Sequence, residues 1–384
     1  MNILVVTDLY PGPDVEDTAA FALHRFCRQW ARHHDVRVLR PYCVPNWRRR
    51  PLPAARAWRL EGVEVVSLPV PKFPGRPWFF LRSLYRAAQG IQTDVVAGHL
   101  GFNLLFAARL ARRKRVPLVA AVHMGDLVRG PRMLGKERLG KIFHQAERLA
   151  PRSPAVRRRL LADYPELRSR CRTAWSGQDS SVSASDDAAT RLDRPAWGEP
   201  LRLVTACSLV PLKNVDVTLW ALARLESSRK WTFTVAGDGP ERGVVEKLAL
   251  ELGVRRHVRF AGWMEREALQ NELAGSHLFV MVSAPETFGL AYLEAMAAGC
   301  LVVGAKKNGV DGVVVHRRNG WLCPAGDADA LAALFREIFA MGEKELLRMR
   351  GNSLRTVSLL TEEKAADNYM QILQQAIECG GGIS

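Results

Sequence analysis

The chain has 384 residues, 48% of them hydrophobic and 24% charged, which excludes disordered, collagen-like and disulfide-stapled classes and leaves room for two domains. Its seven cysteines are scattered with no C-x-x-C pair, so neither a disulfide framework nor a zinc knuckle is indicated and a reducing cytosol is the expected compartment. The net charge of +16 lies in one half: residues 1–198 carry 34 Lys and Arg against 17 Asp and Glu, and residues 199–384 carry 21 against 22, so the first half concentrates an anionic partner.

Apolar and helix-period stretches alternate along the first half: a strand at 2–7, an amphipathic helix at 19–33, strands at 36–39, 63–68 and 95–97, a helix at 101–115 and a strand at 118–122. No stretch is long and apolar enough to span a membrane; the best window, 95–108, stops short at Arg109. Periodicity fades over 179–200, where Ser, Asp, Ala and Pro accumulate, and this reads as a linker. The rhythm then restarts. Strands are expected at 201–206, 231–236, 257–260, 278–282, 301–303 and 321–323, with helices near 215–226, 240–252, 265–274, 289–298 and 327–341. A last helix is expected over 362–377, with Thr361 as its cap. The expectation is two Rossmann-like, doubly wound α/β domains in tandem, at 1–178 and 201–360, followed by a helix and tail at 361–384.

In such sheets ligands bind just beyond the carboxyl ends of the strands. One of those places carries "PETFGLAYLEAMAAG" (285–299), with Glu286 in a turn and Glu294 inside the following helix. Phe288, Gly289 and Leu290 open that helix, and their unpaired amides and the positive dipole end suit a phosphate. An anion site beside two carboxylates suggests a phosphorylated, hydroxyl-rich ligand.

Read in order, "SLVPLKN" (208–214), "VAGDGPER", "VRFAGW", "SAPETFGLAYLEAMAAG" and "NGWLCPAGDADALA" resemble the donor domain of the family-4 retaining glycosyltransferases, the GT-B architecture. The likeness is close over 201–341 and looser elsewhere, where "MNILVVTDLYP" is similar to the family's first strand, "VHMGD" to its His-Gly-x-Asp turn and "WSGQD" to its Asn-Gly-x-Asp. The resemblance implies a metal-independent transferase with no cofactor, using a nucleotide-diphosphate sugar as co-substrate. It implies that Lys213 and the 288–290 amides stabilise the leaving diphosphate and that Glu294 accepts the ribose hydroxyls. Glu286 is then close to the donor sugar, for positioning and charge stabilisation. Ser208, Asn214, Gly237, Asp238, Gly262 and Trp263 fall at the nucleotide pocket. His123 matches the family histidine beside the reacting sugar, Asp126 either orients it or holds an acceptor hydroxyl, and His99 reads as structural.

Two positions depart from the pattern. Cys207-Ser208 stands where the family has Gly-Arg, so one expected cation on the diphosphate is missing, and the loop after the first strand offers only Gly12 among Asp14, Glu16 and Asp17. Asp327-Ala-Asp329 mimics a metal-binding Asp-x-Asp, but its place just before a helix reads as capping. There is no G-x-G-x-x-G after the first strand, which disfavours a dinucleotide enzyme.

Two first-half stretches, 46–59 and 72–86, interleave arginines with aromatics, the composition of an interfacial anchor; Trp78, Phe79, Arg82 and Arg86 are its candidates. An ordinary packed helix face is the competing reading of the second stretch. The expected function is transfer of a sugar from a nucleotide donor to a lipid-linked or phosphorylated acceptor in bacterial envelope or exopolysaccharide synthesis, in the cytoplasm and at the inner membrane face. Two other readings fit the fold: a non-catalytic relative that binds sugar or anionic lipid, and a nucleotide-sugar isomerase. No nucleic-acid motif accompanies the charge.

Overall fold

Strand-forming runs of Val, Ile, Leu and Ala build two parallel sheets, each flanked by helices. The computed structural model describes residues 1–12, 21–44, 55–71, 81–179, 197, 200–225 and 230–380. The contacts divide the chain into one unit of Met1–Ser176 with Glu362–Ser384 and a second of Gly177–Thr361.

The first unit holds β1 (Asn2–Val6), β2 (Asp35–Val44), β3 (Arg56–Leu60), β4 (Val63–Pro71), β5 (Val95–His99), β6 (Leu118–Val122) and β7 (Arg148–Pro151). They pair in the order β3-β4-β2-β1-β5-β6-β7. All pairs are parallel except β3 with β4. In β1, "NILVV", alternate side chains serve two cores, as a strand covered on both faces requires. Leu4 and Val6 face a layer that includes the helix Gly101–Lys114. Ile3 and Val5 face the helix Phe21–Trp30 and the carboxy-terminal helix Glu362–Gly380. In that last helix Ala365, Ala366, Tyr369, Met370, Ile372, Leu373 and Ala376 are buried, the i, i+3, i+4 spacing of one apolar face. Its small alanines let it lie close to Phe21–Trp30, where Trp30 Nε1 donates to Ala366 O (3.0 Å) and Arg25 Nη1 donates to Glu362 Oε1 (2.7 Å). The last helix of the chain is thus part of the first unit.

Residues 56–59, read as part of an interfacial anchor, form the antiparallel edge strand β3, with Trp58 packed against the core. The hairpin turns on Glu61 and Gly62, both at positive φ (44° and 87°), the geometry of a two-residue primed turn whose twist matches the flanking strands. The other helices of this unit are Leu81–Ala88, Met124–Val128, Gly130–Leu134, Lys136–Gln145 and Pro154–Asp163.

The second unit holds β8 (Leu201–Ala206), β9 (Trp231–Ala236), β10 (Val258–Gly262), β11 (Leu278–Met281), β12 (Leu301–Ala305) and β13 (Trp321–Cys323), all parallel, in the order β10-β9-β8-β11-β12-β13. The strand order reverses between β8 and β11, the place at the sheet's carboxyl edge where doubly wound sheets bind their ligands. Asp327 Oδ1 accepts from Ala330 N (2.8 Å) and caps the helix Ala328–Ala340, while Asp329 pairs with Arg224 (2.9 Å), so this Asp-x-Asp is a helix start. Most of 179–200 lies outside the described residues.

Candidate active site

The loop leaving β8 is pinned to the loop leaving β9 by backbone. Leu209 N donates to Asp238 O (2.8 Å) and Glu241 N donates to Leu209 O (3.0 Å), while Gly237 N donates to Gly262 O (2.6 Å) at the end of β10. A Cβ on Gly237 would sit 1.9 Å from the Cys207 carbonyl oxygen, so only glycine lets these strand ends meet. Asp238 closes the turn, accepting from Gly239 N (2.7 Å) and from Arg242 Nη1 (2.8 Å). Those donors, the Gly239 amide first, hold its carboxyl below the usual range. Trp263, just past β10, is 66% exposed, a large ring left bare at the carboxyl edge of the sheet. Ser208 is exposed, and burial raises the Cys207 thiol, so neither supplies charge.

The loops leaving β8 and β11 are joined more tightly. Pro211–Lys213 makes a single 3₁₀ turn that ends on Asn214 in the left-handed region (φ 52°), from which Asn214 Nδ2 donates to Val282 O (2.8 Å). Ala284 N donates to Leu212 O (2.9 Å). This pairing brings Lys213 Nζ to 2.7 Å from Glu286 Oε2. The two side chains are only 19% and 15% exposed, so each charge depends on the other. Ser283 Oγ donates to the same carboxylate (3.2 Å), and Thr287 N donates to its other oxygen (3.1 Å). The backbone of Glu286 is held too, its N–H by Asn308 Oδ1 (3.3 Å) and its carbonyl by Gly309 N (2.9 Å).

Beyond Glu286, Phe288 is buried and Gly289 is the cap of the helix Leu290–Ala297. Tyr292, buried in the first turn, donates from its hydroxyl to Met281 O and ties the helix start to β11. The open amides of this helix and Lys213 therefore belong to the same loop cluster, and Glu294, partly buried, stands in its second turn. The structure brings together Lys213, Asn214, Glu286, Phe288 and Gly289; Gly237, Asp238, Gly262 and Trp263 form the neighbouring wall.

In the first unit His123 follows β6 and starts the helix Met124–Val128. Asp126 Oδ2 accepts from His123 N (2.8 Å) and Oδ1 accepts from Gly101 N (2.7 Å), so one carboxylate fixes the ends of two strand-to-helix turns. Burial raises Asp126 to about 6 despite those donors. The His123 ring meets His99 (Nε2 to Nδ1, 3.4 Å), and His99 meets the Tyr369 hydroxyl (3.0 Å). Arg152, itself buried, lies over the Tyr369 and Phe26 rings (5.4 and 4.7 Å) and donates to Ser176 Oγ (3.0 Å). Burial and the Arg152 charge push His123 down to about 3, and burial carries His99 well below its ordinary value. Sequence reasoning did not find Tyr369 and Arg152: 270 residues separate Tyr369 from His99, and no spacing reports such a contact.

Gly12 is the last described residue before 13–20, and Asp14, Glu16 and Asp17 lie outside the described residues, as do Trp78 and Phe79. Arg82 and Arg86 are exposed on the helix Leu81–Ala88, whose Leu84 and Ala88 are buried as an ordinary packed face requires. Among the described residues no helix is long and apolar enough to cross a membrane.

Residues 193–354 match the family described as Glycosyl transferases group 1, and residues 19–181 match Glycosyltransferase Family 4. Among curated relatives, a lipopolysaccharide core biosynthesis glycosyltransferase, LpsE of Rhizobium meliloti, is 33% identical over 184 residues, covering 48% of this chain and about half (52%) of its own length. The N-acetyl-alpha-D-glucosaminyl L-malate synthase of Bacillus anthracis is 25% identical over 320 residues, 81% of this chain and 82% of its own. Among solved structures, Anabaena HepE in complex with UDP has a TM-score of 0.72 at 17% identity, covering 100% of both chains. The sucrose-phosphate synthase of Thermosynechococcus elongatus has a TM-score of 0.74 at 18% identity, with 99% and 100% covered. The donor-site motifs stand where a doubly wound sheet presents a ligand, each half of the chain matches its own family description, and the chain belongs to the family-4 glycosyltransferases of GT-B architecture.

Proposed function

We propose that the protein moves a sugar, with retention of anomeric configuration, from a nucleoside-diphosphate donor to a lipid-linked or phosphorylated acceptor in bacterial envelope or exopolysaccharide synthesis. The observation that carries the donor half is the Lys213–Glu286 pair beside the start of the helix Leu290–Ala297. An arriving diphosphate competes with Glu286 for the Lys213 ammonium and takes the open amides of the helix. As the anomeric C–O bond breaks, Lys213 and those amides hold the charge that develops on the leaving phosphate. The departing phosphate oxygen takes the acceptor hydroxyl's proton, and the acceptor oxygen bonds the anomeric carbon on the same face. Glu286, held by Ser283 and Thr287, positions the sugar and stabilises its positive character; Glu294 accepts the ribose hydroxyls.

The acceptor half of the proposal rests on the charge of the first half of the chain and on the names of the relatives, among them LpsE, a lipopolysaccharide core enzyme. Arg82, Arg86, Arg112 and Arg113 are exposed, and Arg113 lies over the Tyr85 ring (4.9 Å), a surface that suits anionic headgroups.

The test has two stages. A thermal-shift screen against UDP, GDP, ADP and CDP and their sugar conjugates identifies the donor base by a raised melting temperature. Proton NMR of the product made with that donor then reports the anomeric configuration. Inversion, isomerised donor without transfer, or no nucleotide binding at all would each remove the proposal.

A further inference from the structure

The first sheet has its own reversal of strand order, between β1 and β5, so the residues leaving those strands stand where a doubly wound sheet meets a ligand. Register brings the strand ends level: Val6 pairs with Leu39 of β2 on one side and with Gly98 of β5 on the other. Most polar side chains just beyond are closed off. Thr7 is buried and its hydroxyl oxygen accepts from Leu9 N (3.0 Å), and His99 and Asn103 are buried as well. Asp126, a candidate from the sequence for an acceptor hydroxyl, is 2% exposed, and its two oxygens are taken by the His123 and Gly101 amides (2.8 and 2.7 Å).

Asp8 is different. It is exposed, between buried Thr7 and half-buried Leu9. Crowding by the surrounding protein raises its carboxyl above the ordinary range, against the opposing effects of the backbone amides of Asp8 and Leu9, the Arg40 charge and the Asn103 side chain. A carboxyl that water reaches and protein still crowds lies in a recess. The neighbouring cation, Arg40, is 3% exposed, and its Nη1 donates to Ser67 Oγ (3.2 Å). A buried guanidinium is closed to an arriving phosphate and an exposed carboxylate repels one, whereas two acceptor oxygens suit hydroxyl donors.

We propose that Asp8 is a specificity-determining residue of the acceptor side, accepting hydrogen bonds from the hydroxyls of an uncharged sugar ring, with any phosphate of the acceptor held elsewhere on the basic surface. This rests on the reading of the protein as a sugar transferase, and it narrows the reacting end of the acceptor to a neutral polyol.

The experiment is saturation-transfer NMR of the full-length protein, saturated with the nucleoside diphosphate that raises its melting temperature, against a panel of methyl glycosides and the matching sugar 1-phosphates. The wild type is expected to transfer saturation to at least one methyl glycoside. Asp8→Ala should raise the Kd of that glycoside at least tenfold and leave the melting shift with nucleotide unchanged, which also shows that the variant is folded. Asp8→Asn, which keeps one acceptor oxygen and loses the charge, should fall between the two. Equal glycoside binding in wild type and Asp8→Ala overturns the assignment, and so does a wild type that binds only the sugar phosphates or none of the panel. A wild type whose melting temperature rises with no nucleotide removes the transferase reading itself and this assignment with it, so the two failures are told apart.

Discussion

Lys213 Nζ and Glu286 Oε2 meet at 2.7 Å across 73 residues of sequence, each carried by the loop that leaves one of the two strands at which the sheet order reverses. The pair divides the labour of the site, and its two members are expected to fail differently. Lys213→Ala removes the cation from the diphosphate and strands a largely buried carboxylate, so the donor Kd should rise at least tenfold, ~1.4 kcal/mol or more. Glu286→Gln keeps the shape and removes the charge that supports the developing cation, so kcat should fall about a hundredfold while the donor Kd stays within about threefold. Titration calorimetry together with initial rates separates the two, and identical kinetics in both variants would dissolve the assignment.

Gly309 supplies a subtler probe, because it touches no reacting group. A Cβ there would sit 2.6 Å from Glu286 Cγ and 2.7 Å from the Phe288 carbonyl oxygen. Gly309→Ala must displace the carboxylate or the helix start, and a displacement of about 1 Å costs about a hundredfold in rate. The expected result is slow turnover in a folded protein whose melting temperature falls by only a few degrees. A fully active Gly309→Ala enzyme would show that Glu286 does not need this placement.

Acid should weaken the first unit through its buried histidines. His123 titrates at about 3 in the native fold against 6.5 in a free imidazole, so below about pH 6.5 the unfolded chain binds a proton that the native chain refuses. The stability that this group contributes is therefore complete above about pH 6.5 and is lost as pH falls toward 3, at up to ~1.4 kcal/mol per unit. His123→Gln should flatten the pH dependence of the urea midpoint between about pH 6 and pH 4. Parallel curves for wild type and variant would contradict the buried neutral ring.

The surface arginines give a charge-specific expectation. At ~1 kcal/mol per cation near an anionic bilayer, replacing Arg82 and Arg86 by serine should weaken binding to phosphatidylglycerol vesicles by roughly thirtyfold. Binding to neutral phosphatidylcholine vesicles should stay weak and unchanged. Flotation that is equal for both vesicle types, or indifferent to the substitutions, would leave these arginines as solubilising surface.

The parts of this molecule that were legible in the sequence are those governed by local pattern. Runs such as "NILVV" and "LVAAV" are apolar on both faces and could only be interior parallel strands, and the turn-to-helix signature at 285–299 carried its carboxylates in fixed spacing. The edge strand Arg56–Leu60 was not foreseen as a strand because one face of it is arginine-rich and exposed, so its composition shows no apolar run to mark it. The hydrogen bonds between the 211–214 turn and residues 282–284, and the Tyr369–His99–His123 chain, were invisible for another reason. They depend on which strands become neighbours, and strand order is a property of the whole sheet.

That same strand order has a consequence for synthesis. The helix Glu362–Gly380 covers one face of the first sheet, yet the ribosome makes it after all six strands of the second. Domains ordinarily fold in the order in which they emerge. Here the first unit emerges with the face of Ile3 and Val5 covered only by the helix Phe21–Trp30 and lacking the rest of its cover, and it waits through the translation of nearly two hundred further residues, about 10 to 40 s at bacterial or eukaryotic rates. The later-made unit therefore has everything it needs while the earlier one does not, and the nascent chain reaches its native state from the middle outward.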